Sequence, residues 1–153
     1  EQGLVLRSLA GKAHWHQLNQ EHYLFSYLLE PLFQKEKSYW ISLVSEALPP
    51  LKSLLASAML FGSTARGEDN RDSDLDVCLV LKHSGNRKKV EALVPGMAST
   101  ILRLSGRNLS CYLCTVSTFI HPDSRQRALI QSIVHDGKVI CGRGLSDLMR
   151  MKT

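Results

Sequence analysis

Residues 59–77 contain two apolar segments joined by a polar loop, and this pattern restricts the possible folds more than any other part of the chain. The first segment runs into Gly62 and Ser63, and the second begins with Asp74 and Asp76. Side chains alternate between the faces of a strand, so the two carboxylates are expected on the same face. Bare carboxylates about 4 Å apart repel by roughly 4 kcal/mol at an effective dielectric constant of about 20. The pattern therefore indicates a cation site.

The turn after the first apolar segment has residues that can accommodate a phosphate. Gly62 has no side chain, so the backbone can turn sharply and a phosphate can approach it closely. The hydroxyl of Ser63 and the amides of the turn can donate hydrogen bonds to phosphate oxygens. Asp74 and Asp76 could then hold one or two Mg²⁺ ions that bridge a nucleoside triphosphate. Arg66 could balance phosphate charge, or it could form an ion pair with an acidic residue that follows it.

The composition fits one ordinary globular domain with room for a small appendage. The chain has 153 residues, of which 44% are hydrophobic and 22% charged. No apolar run approaches the roughly 20 residues of a membrane span, and no signal-peptide pattern is present, which favours a cytoplasmic protein without membrane contact. The net charge of +5 permits a polyanionic partner without requiring one. The first residue is Glu1 rather than Met, as expected for a fragment of a longer protein.

The four cysteines lie in apolar, strand-like stretches, which predicts buried, reduced thiols. Cys111 and Cys114 are separated by two residues, as in some zinc sites. Positions three apart on a strand face opposite sides, however, so these two thiols are not expected to share a zinc ion.

Hydrophobic periodicity predicts an α/β (α+β) domain in which helices flank a small mixed sheet. Pro31 is expected to kink or divide the first helical segment, and Pro95 with Gly96 to interrupt a later one. The predicted elements are a hairpin over 3–19, helical segments from 21 to 48, a strand before Gly62, a strand over 74–81, a helical segment over 90–104, a strand over 108–116, a helix around 129–134 and a strand over 139–141.

Three short motifs resemble the signature of the nucleotidyltransferase superfamily, most closely its minimal members with the DNA polymerase β-like fold. They are Phe61-Gly62-Ser63, Ala65-Arg66-Gly67 and Ser73-Asp74-Leu75-Asp76. The resemblance implies that Gly62 and Ser63 bind the nucleotide, and that Asp74 and Asp76 are catalytic and bind magnesium. It also implies transfer of an NMP, with ATP as the expected donor, to a protein or nucleic-acid hydroxyl.

A second resemblance involves the start of the chain. Gly3-Leu4-Val5, Gly11 and Leu18-Asn19 are similar to the wing hairpin of a winged helix-turn-helix domain. In one prokaryotic group such a domain precedes a minimal nucleotidyltransferase, which implies DNA binding through an upstream domain. The expected divisions are a wing-like hairpin over 1–20, linking helices over 21–55 and a nucleotidyltransferase-like domain over 56–153. The aromatic helices over 23–40 are either a homodimer interface or internal packing.

One departure from the family pattern concerns the third carboxylate that active members place on a neighbouring strand. The predicted strand over 108–116 contains no Asp or Glu, and Asp123 and Asp136 come after it. Two carboxylates can still bind Mg-nucleotide, but the base that would activate an acceptor hydroxyl is unassigned. A transcriptional regulator with a nucleotide-sensing domain and an antitoxin-like partner of a helical toxin are therefore alternative functions.

Overall fold

The computed structural model describes residues 3–70 and 72–150, without the side chains of residues 36 and 37. The chain separates into two compact units, one ending at Tyr39 and one beginning at Trp40. The predicted domain boundaries at residues 20 and 55 remain expectations. Residues 1, 2 and 151–153, which belong to the first and last predicted domains, lie outside the described part of the chain. No described helix has the length and apolar character needed to cross a bilayer.

The first unit contains the predicted hairpin, which is confirmed. Strands β1 (Val5–Ala10) and β2 (Ala13–Leu18) pair antiparallel around Gly11, which has a φ of 65°. All residues of both strands are exposed. A two-stranded hairpin of this kind is marginally stable in water by itself.

A π-helical turn (Phe25–Leu29) leads directly into helix α1 (Glu30–Ala47). Pro31 follows this turn closely, so the switch from π-helical to α-helical hydrogen bonding lies where its missing N–H would interrupt a regular ladder. The helical backbone continues through Pro31 to Ala47, so Pro31 does not divide the segment, and Trp40 lies in the same helix as Pro31. The short helix α2 (Pro49–Lys52) follows.

A four-stranded mixed sheet forms the centre of the second unit, as predicted. Its strands are β3 (Leu55–Phe61), β4 (Leu75–Leu81), β5 (Leu109–Thr115) and β6 (Lys138–Gly142), in the order β5-β4-β3-β6. β3 is antiparallel to both β4 and β6, whereas β4 and β5 are parallel. The central strands read as continuous apolar runs because both faces of the sheet are covered.

Helices cover the two faces of this sheet. They are α3 (Gly62–Arg66), α4 (Arg87–Ser105), α5 (Val116–Ile120), α6 (Arg127–Asp136) and α7 (Leu145–Met149), and a 3₁₀ turn (Ser84–Asn86) precedes α4. Pro95 and Gly96 do not interrupt α4, contrary to expectation. Pro95 is exposed, so the carbonyl it frees can bind water, and burial of the opposite, apolar face holds the helix together.

Alternation along β4 divides the core into two clusters. Leu75, Val77 and Leu79 belong to the cluster that also contains residues of α1 and α4. Cys78 and Val80 belong to the other, which contains residues of α5, α6 and α7. Asp76 alternates in step with Cys78 and Val80, so it lies on the face covered by α5, α6 and α7.

All four cysteines are free, and their predicted burial is confirmed only in part. Cys78 and Cys114 are buried, whereas Cys111 and Cys141 are half-buried. Burial raises the pKa of Cys111 to about 11, so its thiol stays protonated at neutral pH.

Candidate active site

The turn between β3 and α3 lies directly against the start of β4. Phe61, the last residue of β3, is extended and pairs with Asp76 in the antiparallel register. Gly62 then adopts a φ of +75°, and a Cβ atom built on it would lie 2.4 Å from Asp76 Oδ2. Only glycine fits here without a shift, because a side chain would occupy the space of the carboxylate.

The two predicted carboxylates are close together but differ in environment. Asp74 is exposed just before β4, whereas Asp76 is half-buried within it. Burial raises the pKa of Asp76, and the negative charge of Asp74 raises it further. A hydrogen bond from the Ser110 hydroxyl and the charge of Arg66 act in the opposite direction. The protein thus holds a carboxylate where its charge is only partly compensated.

Ser110 was not among the sequence-predicted site residues. The parallel register of β4 and β5 pairs it with Asp76, and its hydroxyl donates to that carboxylate. Strand β5 therefore presents a hydroxyl at the position beside the aspartates. Among the described residues, no group of three or more His, Cys, Asp or Glu side chains could hold a metal ion together. The sequence shows that β5 lacks an acid, but only the register identifies Ser110 as the residue beside Asp76.

Ser63 and Thr64 follow the glycine in the short helix α3. The N-cap of α3 is Phe61, and no side chain caps it. Among the described residues the hydroxyl of Ser63 makes no hydrogen bond, while its carbonyl accepts one from Glu68 N at 2.9 Å. The hydroxyl of Thr64 is buried without a protein partner. The Ser63 hydroxyl is therefore available to a ligand.

Arg66 forms two ion pairs. Its Nε lies 2.6 Å from Oε2 of Glu68, and its Nη1 lies 3.1 Å from Oδ2 of Asp136. The structure therefore contains the second predicted arrangement, in which Arg66 forms an ion pair with an acidic residue that follows it. His135 lies 2.5 Å from the other Asp136 oxygen, and together with Arg66 it lowers the pKa of Asp136. Exposed ion pairs contribute about 0–1 kcal/mol, so Arg66 could exchange these partners for a phosphate.

The loop between α3 and β4 is closed by a polar turn. Ser73 N donates to Asn70 O at 3.1 Å, and Asn70 N donates to Ser73 Oγ at 3.0 Å. Asp72 N donates to Asn70 Oδ1 at 2.9 Å. Side chains of this kind stabilise tight turns by replacing backbone hydrogen bonds. This turn places Asp74 immediately after Ser73, at the entrance to β4.

Comparison with solved structures finds nine similar chains, including the following three, all with limited similarity. A toxin–antitoxin structure with AMP-PNP is 19% identical, covering 74% of this chain and 80% of that chain with a TM-score of 0.42. A provisionally assigned nucleotidyltransferase from Sulfolobus solfataricus is 19% identical, with coverage of 72% and 86% and a TM-score of 0.43. A mutant toxin–antitoxin MntA–HpeT is 16% identical, with coverage of 74% and 80% and a TM-score of 0.42.

Comparison with protein families gives a more direct result. No curated protein matches the chain in sequence. The sequence model of the nucleotidyltransferase domain, in contrast, matches residues 41–133, which is more than half of the chain. The matched range contains the Gly62 turn, Asp74, Asp76 and the whole of β5. The chain therefore belongs to the nucleotidyltransferase domain family.

Proposed function

We propose that this chain binds a Mg²⁺-nucleoside triphosphate, with ATP as the first candidate, and transfers its NMP to a hydroxyl of a protein or nucleic acid. One observation carries the proposal: the backbone of Gly62 approaches the carboxylate of Asp76 so closely that a side chain cannot fit between them. A ligand held by Asp76 therefore also meets the Gly62–Ser63 turn. This arrangement suits a metal-bound phosphate.

The carboxylates present fit a divalent cation. Carboxylate oxygens are preferred ligands of Mg²⁺, and Asp74 and Asp76 would hold the ion. The raised pKa of Asp76 indicates a partly buried charge that a cation would compensate. A bound Mg²⁺ would supply charge stabilisation to the triphosphate. Two carboxylates provide ligands for one ion more readily than for two.

The chemistry of transfer assigns separate roles to these residues. The acceptor hydroxyl oxygen would attack the α-phosphorus, a new P–O bond would form, and the bond to pyrophosphate would break with its electron pair leaving on pyrophosphate. The turn at Gly62 and Ser63 would orient the triphosphate, and Arg66 would balance its charge. The hydroxyl proton would pass to Asp76 or to water, since β5 provides no carboxylate.

The test is label transfer from α-labelled ATP with Mg²⁺ and candidate protein and RNA acceptors. We expect transfer by the unaltered chain and none by the double variant Asp74→Ala, Asp76→Ala. The matched control is Glu46→Ala with Asp147→Ala, which removes two exposed carboxylates outside the proposed site. Transfer that survives in the first double variant would refute the assigned site.

Ser110 favours a second candidate function, a domain that senses nucleotide without turnover. Its hydroxyl occupies the β5 position beside Asp76, where a catalytic carboxylate would otherwise complete the group. A sensor predicts saturable Mg-ATP binding by calorimetry and no pyrophosphate release with any acceptor. Measured pyrophosphate release separates the two candidates, because both bind the nucleotide.

DNA binding through an upstream winged helix and pairing with a helical toxin stay proposals that rest on the resemblance. The described hairpin β1–β2 is compatible with a wing. Electrophoretic mobility shift with the full-length parent protein tests the first proposal. Co-purification of the product of a neighbouring gene tests the second.

A further inference from the structure

We infer that Arg107 is a positioning residue that holds the loop over residues 67–74 and thereby sets the place of Asp74. The inference rests on the proposed function, because it assigns Asp74 to the metal site. Arg107 lies between α4 and β5, and its side chain is only 11% exposed. A guanidinium cannot lose its charge at neutral pH, so it needs partners when it is this deeply covered.

Three groups surround the Arg107 guanidinium. Its Nη1 lies 2.7 Å from Oδ2 of Asp69, which is itself only 16% exposed. Its Nη2 donates to the backbone carbonyl of Asn70 at 2.9 Å. On one face, its Cζ lies 4.2 Å from the ring centroid of Trp40. The guanidinium thus links the ring of Trp40, in α1, to two consecutive residues of the loop.

These contacts hold the loop on both sides of Asp74. Arg107 binds the loop at Asp69 and Asn70, and the next residue, Asn108, accepts a hydrogen bond from Leu75 N at 2.9 Å. Asp74 lies between these attachment points. The hydrogen bonds between Asn70 and Ser73 link the first attachment point to the residue before Asp74.

Lysine could not replace Arg107 equally well. The planar fork of arginine reaches a carboxylate and a carbonyl at once while one face stacks on an aromatic ring. A lysine ammonium keeps the charge but is a compact point charge without a flat face. Arg107→Lys should therefore keep the ion pair with Asp69 and lose the stacking on Trp40. Arg107→Lys should therefore have a smaller effect than Arg107→Ala, which removes all of these contacts.

The test is Mn²⁺ binding, followed by the electron paramagnetic resonance signal of the free ion, without nucleotide or acceptor. We expect Arg107→Ala to weaken Mn²⁺ binding about tenfold, at the lower end of the range for residues that orient metal ligands. We expect Arg107→Lys to weaken it less, by about threefold. Asp69→Asn should weaken binding in the wild-type background and have little further effect in Arg107→Ala, since both changes break the same contact.

Two controls separate positioning from general stability. Arg103→Ala removes an exposed arginine of α4 and should leave Mn²⁺ affinity unchanged. Val90→Ala opens the core cluster that contains residues of α1 and α4, at the end of α4 opposite Arg107, and should lower the melting temperature without altering Mn²⁺ affinity. Should Arg107→Ala fail to fold, Arg107→Lys and Asp69→Asn carry the same comparison.

The outcomes are distinct. Weaker binding in Arg107→Ala, with both controls unchanged, supports the inference. Equal Mn²⁺ affinity in wild type and the folded Arg107 variants would overturn it and leave the proposed metal site intact. A similar loss of affinity in Val90→Ala would also overturn it, because the effect would then be general destabilisation. Absence of Mn²⁺ binding by the wild-type chain would overturn the proposed metal site and this inference together.

Discussion

Gly62 and Asp76 form a single surface, although thirteen residues separate them in the sequence. A Cβ atom on Gly62 would lie 2.4 Å from Asp76 Oδ2 and 3.2 Å from Asp76 Cγ. The pairing of Phe61 with Asp76 across β3 and β4 creates this approach. The proposed phosphate-binding turn and the proposed metal ligand therefore depend on the same strand register, and a change at either residue is expected to affect both.

Gly62→Ala should be more damaging than the matched change Gly67→Ala. Both glycines have a φ near 75°, but a Cβ on Gly67 meets no atom within 4 Å. We expect Gly67→Ala to cost about 1 kcal/mol of unfolding free energy through backbone strain alone, and Gly62→Ala to cost roughly 2 kcal/mol or more. Urea denaturation measures both. Equal destabilisation would contradict the predicted clash with Asp76.

Asp76→Asn should stabilise the ligand-free protein at neutral pH by roughly 0.5–1 kcal/mol, the usual scale when an uncompensated site charge is removed. The pKa of Asp76 is raised in the folded state, mainly by burial, so the folded chain binds more protons than the unfolded chain between the two pKa values. Wild-type stability therefore falls as pH rises through that interval, and the variant is spared this loss.

The measurement is the melting temperature of both proteins from pH 3 to pH 8 without metal. The difference should vanish below the ordinary pKa of aspartate and be complete above the raised one. Asp74→Asn, at the exposed neighbour, should give a smaller gain. If the wild type were more stable than Asp76→Asn at pH 7, the negative charge of Asp76 would be stabilised by its surroundings, contrary to this prediction.

Ser110→Asp should bring a third carboxylate beside Asp76. In the ligand-free protein we expect a lower melting temperature, because like charges repel at this distance. With Mn²⁺ present we expect several-fold tighter binding than in wild type, since a third oxygen ligand is added. Ser117→Asp adds the same charge beyond the far end of β5 and should leave Mn²⁺ affinity unchanged. Equal tightening by both variants would indicate a general charge effect.

Arg66→Ala should weaken ATP binding about tenfold, the effect of losing one hydrogen bond to a charged group. Glu68→Gln should not weaken it, because Glu68 competes with phosphate for the guanidinium. Arg87→Ala is the matched control, since Arg87 is also an exposed arginine, and it forms an ion pair with Glu91. Isothermal calorimetry with Mg-ATP compares the three. Unchanged ATP affinity in Arg66→Ala would remove this residue from the proposed site.

Local sequence patterns predicted much of the second unit because each pattern has a local cause. Continuous apolar runs predicted β3 and β4, and the strand over 108–116 is β5 with ends shifted by one residue. The helix errors arose from proline. Pro31 follows a π-helical turn and Pro95 lies on an exposed face, and neither divides its helix. The sequence shows that a proline lacks an N–H, but the position of the proline in the helix decides how much the loss destabilises the helix.

The sequence by itself determined the family, the mixed α/β architecture, and the glycine turn and paired aspartates, since these depend on residue types at short, fixed spacing. Only the tertiary structure decided which distant residues surround them. Strand register brought Ser110 to Asp76, and packing brought Asp136 to Arg66 and Arg107 to Asp69. The members of these pairs lie 34 to 70 positions apart in the sequence, and no local pattern encodes a contact whose partner is chosen by the sheet order and the helix packing.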